Sequence, residues 1–578
     1  LSVKIHKKIL CRPPKQFSES EIDKFREIFS LSHPIVQILF NRRLDTKEKI
    51  ESFLYPSLEN LLDPFIFNDM DKATNRIMRA IKEKEPILVY GDYDADGISS
   101  IALVLRNLRA LSAEAYYYVP NRLTEGYGIN KKAVKIISEK GFKLIITVDC
   151  GINAESEVEL AKNLGMDVIV TDHHVPKEEL RSAYAVINPK TKGEKYPFKE
   201  LAGVGVSFKL LSGVFSKAKR DGEMLQSLDL VAIGTIADVV SMTGENRILV
   251  KSGIDVLNNT DKIGISALIE KSGLKKGKIG AYEVGYVLAP RINASGRLDT
   301  AYDSVELLLT DDRGKAWEYA NALNTKNRIR QELHRKVATD SIRIIEKEGY
   351  DKMQGGIVLA KEDWHEGVVG IAASKIAEDY SRPTILISTA GEFGKGSGRS
   401  VKSFSLLDAL DSCRDYLLKY GGHRHAVGLT IRKEKISEFR QAFNKVVRER
   451  LIAEDLVNEM NSEAALFFSE IDGKLILELK QLEPFGIDNP EPIFLTENVD
   501  FVGYPKIVGK NHIKIKVREN NIVLDSIGFG KAEIAKDLEI GMKIYSIYYF
   551  LRENTYMNKR KIQLNLLHLE RPEGESKG

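Results

Sequence analysis

The chain has 578 residues, too many for one core, and its length suggests about three or four domains. With 43% hydrophobic and 29% charged residues it reads as an ordinary soluble polypeptide. A net charge of +4 is small for this size and excludes a global basic field, so a nucleic-acid partner would have to be held by local patches. Cys11, Cys150 and Cys413 are scattered without C-x-x-C spacing, which argues against a disulfide framework and against a zinc site and fits a reducing, cytoplasmic setting. The start, LSVKIHKKIL, lacks the apolar stretch of a signal peptide, and no later segment approaches the roughly 18 consecutive apolar residues of a membrane span.

Residues 1–75 are helix-prone and amphipathic, with proline-containing breaks, and read as a packing extension without chemistry of its own. From 86 to 200 short β-branched runs alternate with helical ones: PILVYG, AYYYVP, KLIITVD, DVIVTD and YAVINP. That alternation predicts right-handed βαβ units and a mainly parallel sheet covered on both faces, with ligands at the carboxyl ends of its strands. Three of those ends carry charge. PILVYG runs into Asp92-x-Asp94-x-Asp96, KLIITV into Asp149, and DVIVT into Asp172-His173-His174.

The first triplet imitates the opening of a calcium-binding EF-hand loop, D-x-D-x-D-G, through Gly97. The bidentate glutamate needed at the twelfth position is replaced by Leu103, and a strand, not a helix, precedes the loop. Taken alone, Asp149 reads as a helix N-cap, the common role of Asp after a strand. Together the carboxylates repel one another at one sheet edge unless a cation neutralises them. Asp238 interrupts the apolar helical run LVAIGTIADVVS and is a fourth candidate, balanced against pairing with a nearby arginine. Five aspartates with one imidazole suit Mn²⁺ or Mg²⁺, and so many anionic ligands can hold two ions about 3.5–4 Å apart, the usual clamp for in-line attack on phosphorus. Haloacid-type phosphatases need Thr or Val two residues after the second Asp of D-x-D; neither Asp92-Tyr93-Asp94-Ala95-Asp96 nor Asp94-Ala95-Asp96-Gly97-Ile98 supplies it.

Further on, the basic stretch NTKNRIRQELHRKVATDSIRI predicts a long connecting helix, most simply a solvated linker. GGIVLAKEDWHEGVVGIAASKIAEDYSRPTILIS (355–388) predicts strand, loop, helix and strand, a second α/β unit. GKGSGRS and GGHRHAVG combine glycines, which let a backbone approach an anion, with donors at Ser397, Arg399 and His423; as turns alone they are more often ordinary hairpins. The last module, 461–571, is β-rich. Its GKNHIKIKVREN alternates Ile513, Ile515 and Val517 on one face with His512, Lys514, Lys516 and Arg518 on the other. Aromatics of the neighbouring YSIYYF would add stacking platforms to that basic face, the combination by which an OB-fold tracks a single strand.

VYGDYDADG, ITVDCG, VTDHH and GTIADVV, in this order, resemble the four metal-site motifs of the DHH phosphoesterase superfamily. PNRLTEGYG, APRINASGRL, WHEGVVGIAASKI, GKGSGRS and GGHRHAVG resemble those of its RecJ single-strand-specific exonuclease branch, so that the likeness spans most of 35–570. Ser295, where Ala is more usual, and His425 are departures. The resemblance implies a helical extension (1–75), a parallel-sheet DHH catalytic domain (76–305), a connecting helix (306–350), a DHH-associated substrate domain (351–455) and a β-barrel OB-fold (461–571). It implies metal ligands at Asp92, Asp94, Asp96, Asp149, His173 and Asp238 for two Mn²⁺ or Mg²⁺ ions, His174 facing the scissile phosphate, and Asp172 orienting the imidazoles. Arg122, Ser397 and Arg399 would grip a 5′-terminal phosphate, and Arg291, Asn293 and Arg297 the strand beside the scissile bond. The activity implied is 5′-to-3′ removal of mononucleotides from single-stranded DNA in repair and recombination, with a single-strand-binding protein and a helicase as candidate partners. Two alternatives are a small-substrate DHH enzyme, such as an oligoribonuclease or pAp phosphatase, and a non-catalytic replication scaffold.

Overall fold

The computed structural model describes residues 9–122, 124–349, 355–401, 404–452, 458–538, 542–556 and 559–570. They form two compact units. Leu61–Val240 and Ile248–Asn458 make the first; Ile9–Asn60, Ser241–Arg247 and the chain from Glu459 onward make the second.

The first unit opens with the expected parallel sheet. Strands β1 (Ile87–Gly91), β2 (Ala115–Tyr118), β3 (Leu144–Val148), β4 (Asp167–Thr171) and β5 (Ala185–Ile187) lie in the order β2-β1-β3-β4-β5, every pair parallel. Both central strands are buried at every position, which is why they read as unbroken apolar runs. The chain lays β2 on one side of β1 and returns to lay β3 on the other, so the order reverses there and a crevice opens at the carboxyl ends of β1 and β3. Three helices wall it: α1 (Ala95–Ala110), α2 (Gly203–Lys217) and α3 (Leu228–Asp238). A π-helical turn, Val284–Leu288, leads into α4 (Ala289–Leu298), and the predicted connecting helix is α5 (Arg313–Glu348), 36 residues long.

The second lobe of this unit comprises β6 (Ile357–Lys361), α6 (Glu366–Tyr380), β7 (Thr384–Ala390), β8 (Phe393–Arg399), β9 (Leu417–Gly422) and β10 (Ala426–Arg432), in sheet order β9-β10-β8-β7-β6. GKGSGRS is not a turn. It lies on β8 but for its last residue, with Gly394, Gly396 and Gly398 facing Ile387, Leu429, Val427 and Ile385 so closely that a Cβ on any of them would stand 2.7–2.8 Å from a neighbour. The intervening Lys395, Ser397 and Arg399 therefore share the other face of the strand.

The second unit is a closed five-stranded barrel, β11 (Phe494–Val508), β12 (His512–Glu519), β13 (Ile522–Gly528), β14 (Lys543–Tyr556) and β15 (Lys559–Glu570). It closes in the order β11-β12-β13-β15-β14-β11, with only β13 and β15 parallel. The helical extension expected over 1–75 is not one piece. Helices Glu19–Phe29, His33–Asn41 and Lys47–Leu54 bury Phe25, Ile35, Ile38, Leu39 and Phe53 in the same core as barrel residues Phe494, Phe501, Ile515 and Tyr549, whereas the chain from Leu61 belongs to the first unit. Arg247 fastens the second unit: its buried guanidinium donates to the backbone carbonyls of Phe53, Gln481 and Leu482 at 2.9 Å each and lies 3.8 Å from the Phe53 ring.

Candidate metal centre

The crevice between β1 and β3 receives every predicted metal ligand. Asp92, just past β1, is buried, and its Oδ1 has no hydrogen-bond partner among the described residues. Asp94 is the N-cap of α1, with Oδ1 accepting from the N–H groups of Asp96 and Gly97 at 3.0 and 3.1 Å. Asp96, in the first turn, points at the start of α2 and accepts from Gly203 and Val204 N–H at 2.8 and 2.9 Å, an anion seated on a helix N-terminus. Asp149 caps no helix: the next one begins at Glu155 with Ala154 at its cap. It has a left-handed backbone (φ 58°), held by its N–H bond to the Thr171 carbonyl at 3.0 Å, and its buried Oδ1 has no hydrogen-bond partner among the described residues. Asp238 is the last residue of α3, where the helix stops at Val239 in the same left-handed region (φ 61°). A β-branched residue there is uncommon, so strain sits beside Asp238.

These side chains converge. His173 Nε2 lies 3.3 Å from Asp149 Oδ1 and 3.5 Å from Asp238 Oδ2. Ligand atoms of Asp92, Asp94 and Asp149 lie within 4.8 Å of one another, as do those of Asp96, His173 and Asp238, and those of Asp149, His173 and His174. Burial, reinforced by neighbouring carboxylates, pushes the carboxyls of Asp92, Asp96 and Asp149 well up, and that of Asp238 up to about 7. Burial also drives His173 down to about 3, so its ring is neutral, the form that ligates metal. Uncompensated buried acids, a neutral imidazole and orphaned oxygens are what a divalent cation would satisfy, and the residues fit one.

The two histidines differ. His174 Nδ1 donates to Asp172 Oδ1 at 2.7 Å, and Asp172 also accepts from the backbone N–H groups of Ile152, His173 and His174. Burial alone would lower His174, but the Asp172 bond and the acids around it raise it instead, so it readily carries a proton. Asp172 thus orients one imidazole, not both: among the described residues it meets His173 only at the backbone.

Opposite the acids stands a cluster of arginines. Arg122 lies 5.2 Å from the Tyr93 ring, between Asp92 and Asp94 in sequence. Arg297 of α4 is pushed down to about 10 by burial and by Arg122, Arg330 and Arg399, while Arg330 is lowered by burial and by Arg291. Among the described residues none of Arg122, Arg291, Arg297, Arg330 and Arg399 forms an ion pair with a carboxylate; Arg399 donates to Ser397 Oγ at 3.2 Å and the Gly398 carbonyl at 2.7 Å, and Arg291 to the Val287 carbonyl and Asn324. Cations gathered without such partners are poised for an external anion. Arg330 corrects the linker reading of α5, since the helix supplies a member of this cluster. Asn293 has a further role, its Oδ1 accepting from Ala95 N–H at 2.7 Å and bracing the loop that carries Asp92 and Asp94. His423 is exposed, and its ring is lowered by partial burial and then by His425, Arg399 and His174.

On the barrel, β12 alternates as predicted, with Lys514, Lys516 and Arg518 exposed, His512 half-buried and Ile513, Ile515 and Val517 buried. The row is less basic than its sequence, because Arg518 pairs with Asp500 at 2.8 Å and Lys516 stands opposite Asp525. Of the YSIYYF aromatics Tyr548 and Tyr549 are buried. The accessible rings near the row are Tyr504, 80% exposed in the bulge of β11, and Phe529, 5.2 Å from His512.

Known proteins share the domains and the fold of this chain. The DHH family N-terminal domain matches residues 86–235, the DHHA1 domain 353–449 and the RecJ OB domain 462–568. The single-stranded-DNA-specific exonuclease RecJ of Bacillus subtilis is 39% identical over 550 residues, 94% of this chain and 69% of that protein. The Escherichia coli protein of the same name is 34% identical over 571 residues, 95% of this chain and 98% of that one. The crystal structure of RecJ from Thermus thermophilus in complex with Mn²⁺ superposes with a TM-score of 0.85 at 28% identity, covering 98% of this chain and 80% of that one; its Mg²⁺ complex gives 0.77. A fold shared over 98% of the chain, three matching domains and relatives of such coverage mean that the chain belongs to the RecJ family of single-stranded-DNA-specific exonucleases.

Proposed function

We propose that this chain is a metal-dependent exonuclease that takes single-stranded DNA from its 5′ end and releases 5′-mononucleotides by direct hydrolysis. One observation carries the reading: a buried, unneutralised set of acids and one neutral imidazole faces a set of arginines that has no carboxylate partner among the described residues. The first suits divalent cations and the second a phosphodiester. Asp92, Asp94, Asp96, Asp149, His173 and Asp238 would hold two Mn²⁺ or Mg²⁺ ions, which when bound activate the attacking water and neutralise charge gathering on the phosphoryl oxygens.

The side chains perform the remaining work. His174, kept charged by Asp172, donates to a phosphoryl oxygen as negative charge builds there, and the fixed bond to Asp172 removes the cost of orienting it during reaction. Arg291 and Arg297 steady the strand at the scissile bond, while Arg122, Ser397 and Arg399 take the 5′ phosphate in paired hydrogen bonds. His423 reaches the same phosphates from the hairpin of β9 and β10. His512, Lys514, Lys516 and Arg518, with Tyr504 and Phe529, offer the barrel's strand-binding face.

Timed digestion of 5′- and 3′-labelled single strands with Mn²⁺, Mg²⁺ or EDTA tests the reading. Mononucleotides appearing first from the 5′ label, only with metal, are expected. Activity confined to dinucleotides or pAp would replace it with a small-substrate enzyme, and metal-independent binding without cleavage with a scaffold.

A further inference from the structure

Far from the crevice in sequence, the second unit collects a different donor set. Strands β14 and β15 pair with Ser546 opposite Glu570 and Tyr548 opposite His568. Residues two apart on a strand share a face, so His568 and Glu570 stand side by side. The short strand Ile9–Arg12 brings Cys11 to them, and the Cys11 sulfur, a His568 ring nitrogen and a Glu570 oxygen lie within 4.8 Å of one another. All three are half-buried. Glu570 accepts from Ser546 Oγ at 2.6 Å and from the Tyr548 hydroxyl at 3.4 Å, so its direction is fixed; among the described residues it has no lysine or arginine partner. The His568 ring makes no hydrogen bond among those residues, and burial disfavours its protonation, outweighing the opposing charge of Glu570.

Cysteine, histidine and glutamate on rigid strands can serve as a nucleophilic thiol or as metal ligands. A nucleophilic thiol is the poorer reading, because the carboxylate beside the sulfur opposes a thiolate unless a cation sits between them. We propose that Cys11, His568 and Glu570 form a second metal site, distinct from the oxygen-rich crevice and selective for a borderline-soft divalent cation of the zinc class. Zinc takes one sulfur, one nitrogen and one carboxylate oxygen readily, whereas Mn²⁺ and Mg²⁺ prefer the oxygen-rich surroundings of the crevice. On binding, the Cys11 S–H bond breaks, its proton passes to solvent and a sulfur–metal bond forms, so affinity rises with pH. The ion would pin the strand at one end of the chain to the last barrel strand. Cysteine spacing hides such a site, since its ligands come from opposite ends of the sequence.

Cobalt reports on it directly, because thiolate coordination gives a near-ultraviolet charge-transfer band that oxygen ligands cannot. The full chain, stripped of metal, is titrated with Co²⁺ alone. The band is expected to reach the absorbance of one thiolate-bound cobalt per chain in the parent and in Asp149→Ala, whatever further Co²⁺ the crevice takes up, to be bleached by Zn²⁺, and to be absent in Cys11→Ser. In His568→Gln, which keeps the thiol, its midpoint is expected to move to roughly tenfold or more higher Co²⁺. Circular dichroism checks that both variants fold; should Cys11→Ser fail, His568→Gln decides alone. No band in the parent, a band that survives Cys11→Ser, or an unchanged midpoint in folded His568→Gln would overturn the site.

Discussion

A single methyl group at Gly203 tests how the crevice is built. Gly203 opens α2 and gives its N–H to Asp96, and a Cβ placed on it would stand 2.5 Å from Asp149 Oδ1 and 2.7 Å from the Asp149 Cβ and Cγ. Ordinary contact begins at 3.4 Å, so Gly203→Ala forces the two apart by about 0.9 Å. Asp149 has little freedom to yield, being buried, left-handed in backbone and tied to Thr171. If α2 moves instead, the amides holding Asp96 move with it. Misplacing a reacting group by about 1 Å costs on the order of 100-fold in rate, or about 2.7 kcal/mol of barrier. The substitution changes no charge, and Ala favours helix. Initial rates on a labelled single strand, followed across a Mn²⁺ titration, should fall about 100-fold with a raised Mn²⁺ requirement, while strand affinity and far-ultraviolet circular dichroism stay near the parent's. Rates within about threefold of the parent, with the same Mn²⁺ midpoint, would refute the claim that the wall of α2 sets the position of Asp149.

Asp149→Asn should abolish cleavage yet raise the melting temperature of the metal-free protein by about 2 °C or more, because it removes one member of a self-repelling buried set; calorimetry with and without Mn²⁺ checks this, and a lower metal-free melting temperature would contradict it. The metal-free protein should also lose stability as pH rises from about 4 through 7. The raised carboxyls of Asp238 and its neighbours hold protons in the folded chain that the unfolded chain has already released, so unfolding binds fewer protons than folding retains; melting at pH 5.5 and pH 8 should differ, and saturating Mn²⁺ should remove the difference. Arg399→Ala should erase most of the preference for a 5′ phosphate over a 5′ hydroxyl, read as the ratio of kcat/KM on the two ends, with equal discrimination in variant and parent the contrary result. Lys514→Ala should weaken single-strand affinity alike for all sequences and reduce the salt slope by about 0.7, measured by anisotropy across a salt series.

The parallel sheet was legible because strands buried on both faces must be apolar throughout, and the acids after them stand out against such runs. Asp149 illustrates the limit. Its immediate neighbours suggest a cap, and it stands out as a ligand only in company with the acids after the other strands; the left-handed turn that aims it at the crevice has no local signal. Gly203, Arg330 and the bracing role of Asn293 left no local signal, since each matters through an element distant in sequence. GKGSGRS misled for a related reason: its glycines make room for isoleucine, leucine and valine on adjoining strands, and that need is invisible until the strands are paired. Likewise two of the four YSIYYF rings, Tyr548 and Tyr549, are core, because a bulge between them breaks the simple alternation, while Tyr545 is exposed.

The shared core of the second unit carries an implication for synthesis. Ile22, Phe25, Ile35 and Phe53 leave the ribosome before the first unit, yet the barrel residues that cover them are translated after it. Until then an oily helical surface must wait, shielded by chaperones or by itself, while the intervening nuclease unit folds. Trimming the chain ahead of Glu459 to isolate that nuclease would strand the same surface in water, so a well-behaved fragment has to shed the first sixty residues too.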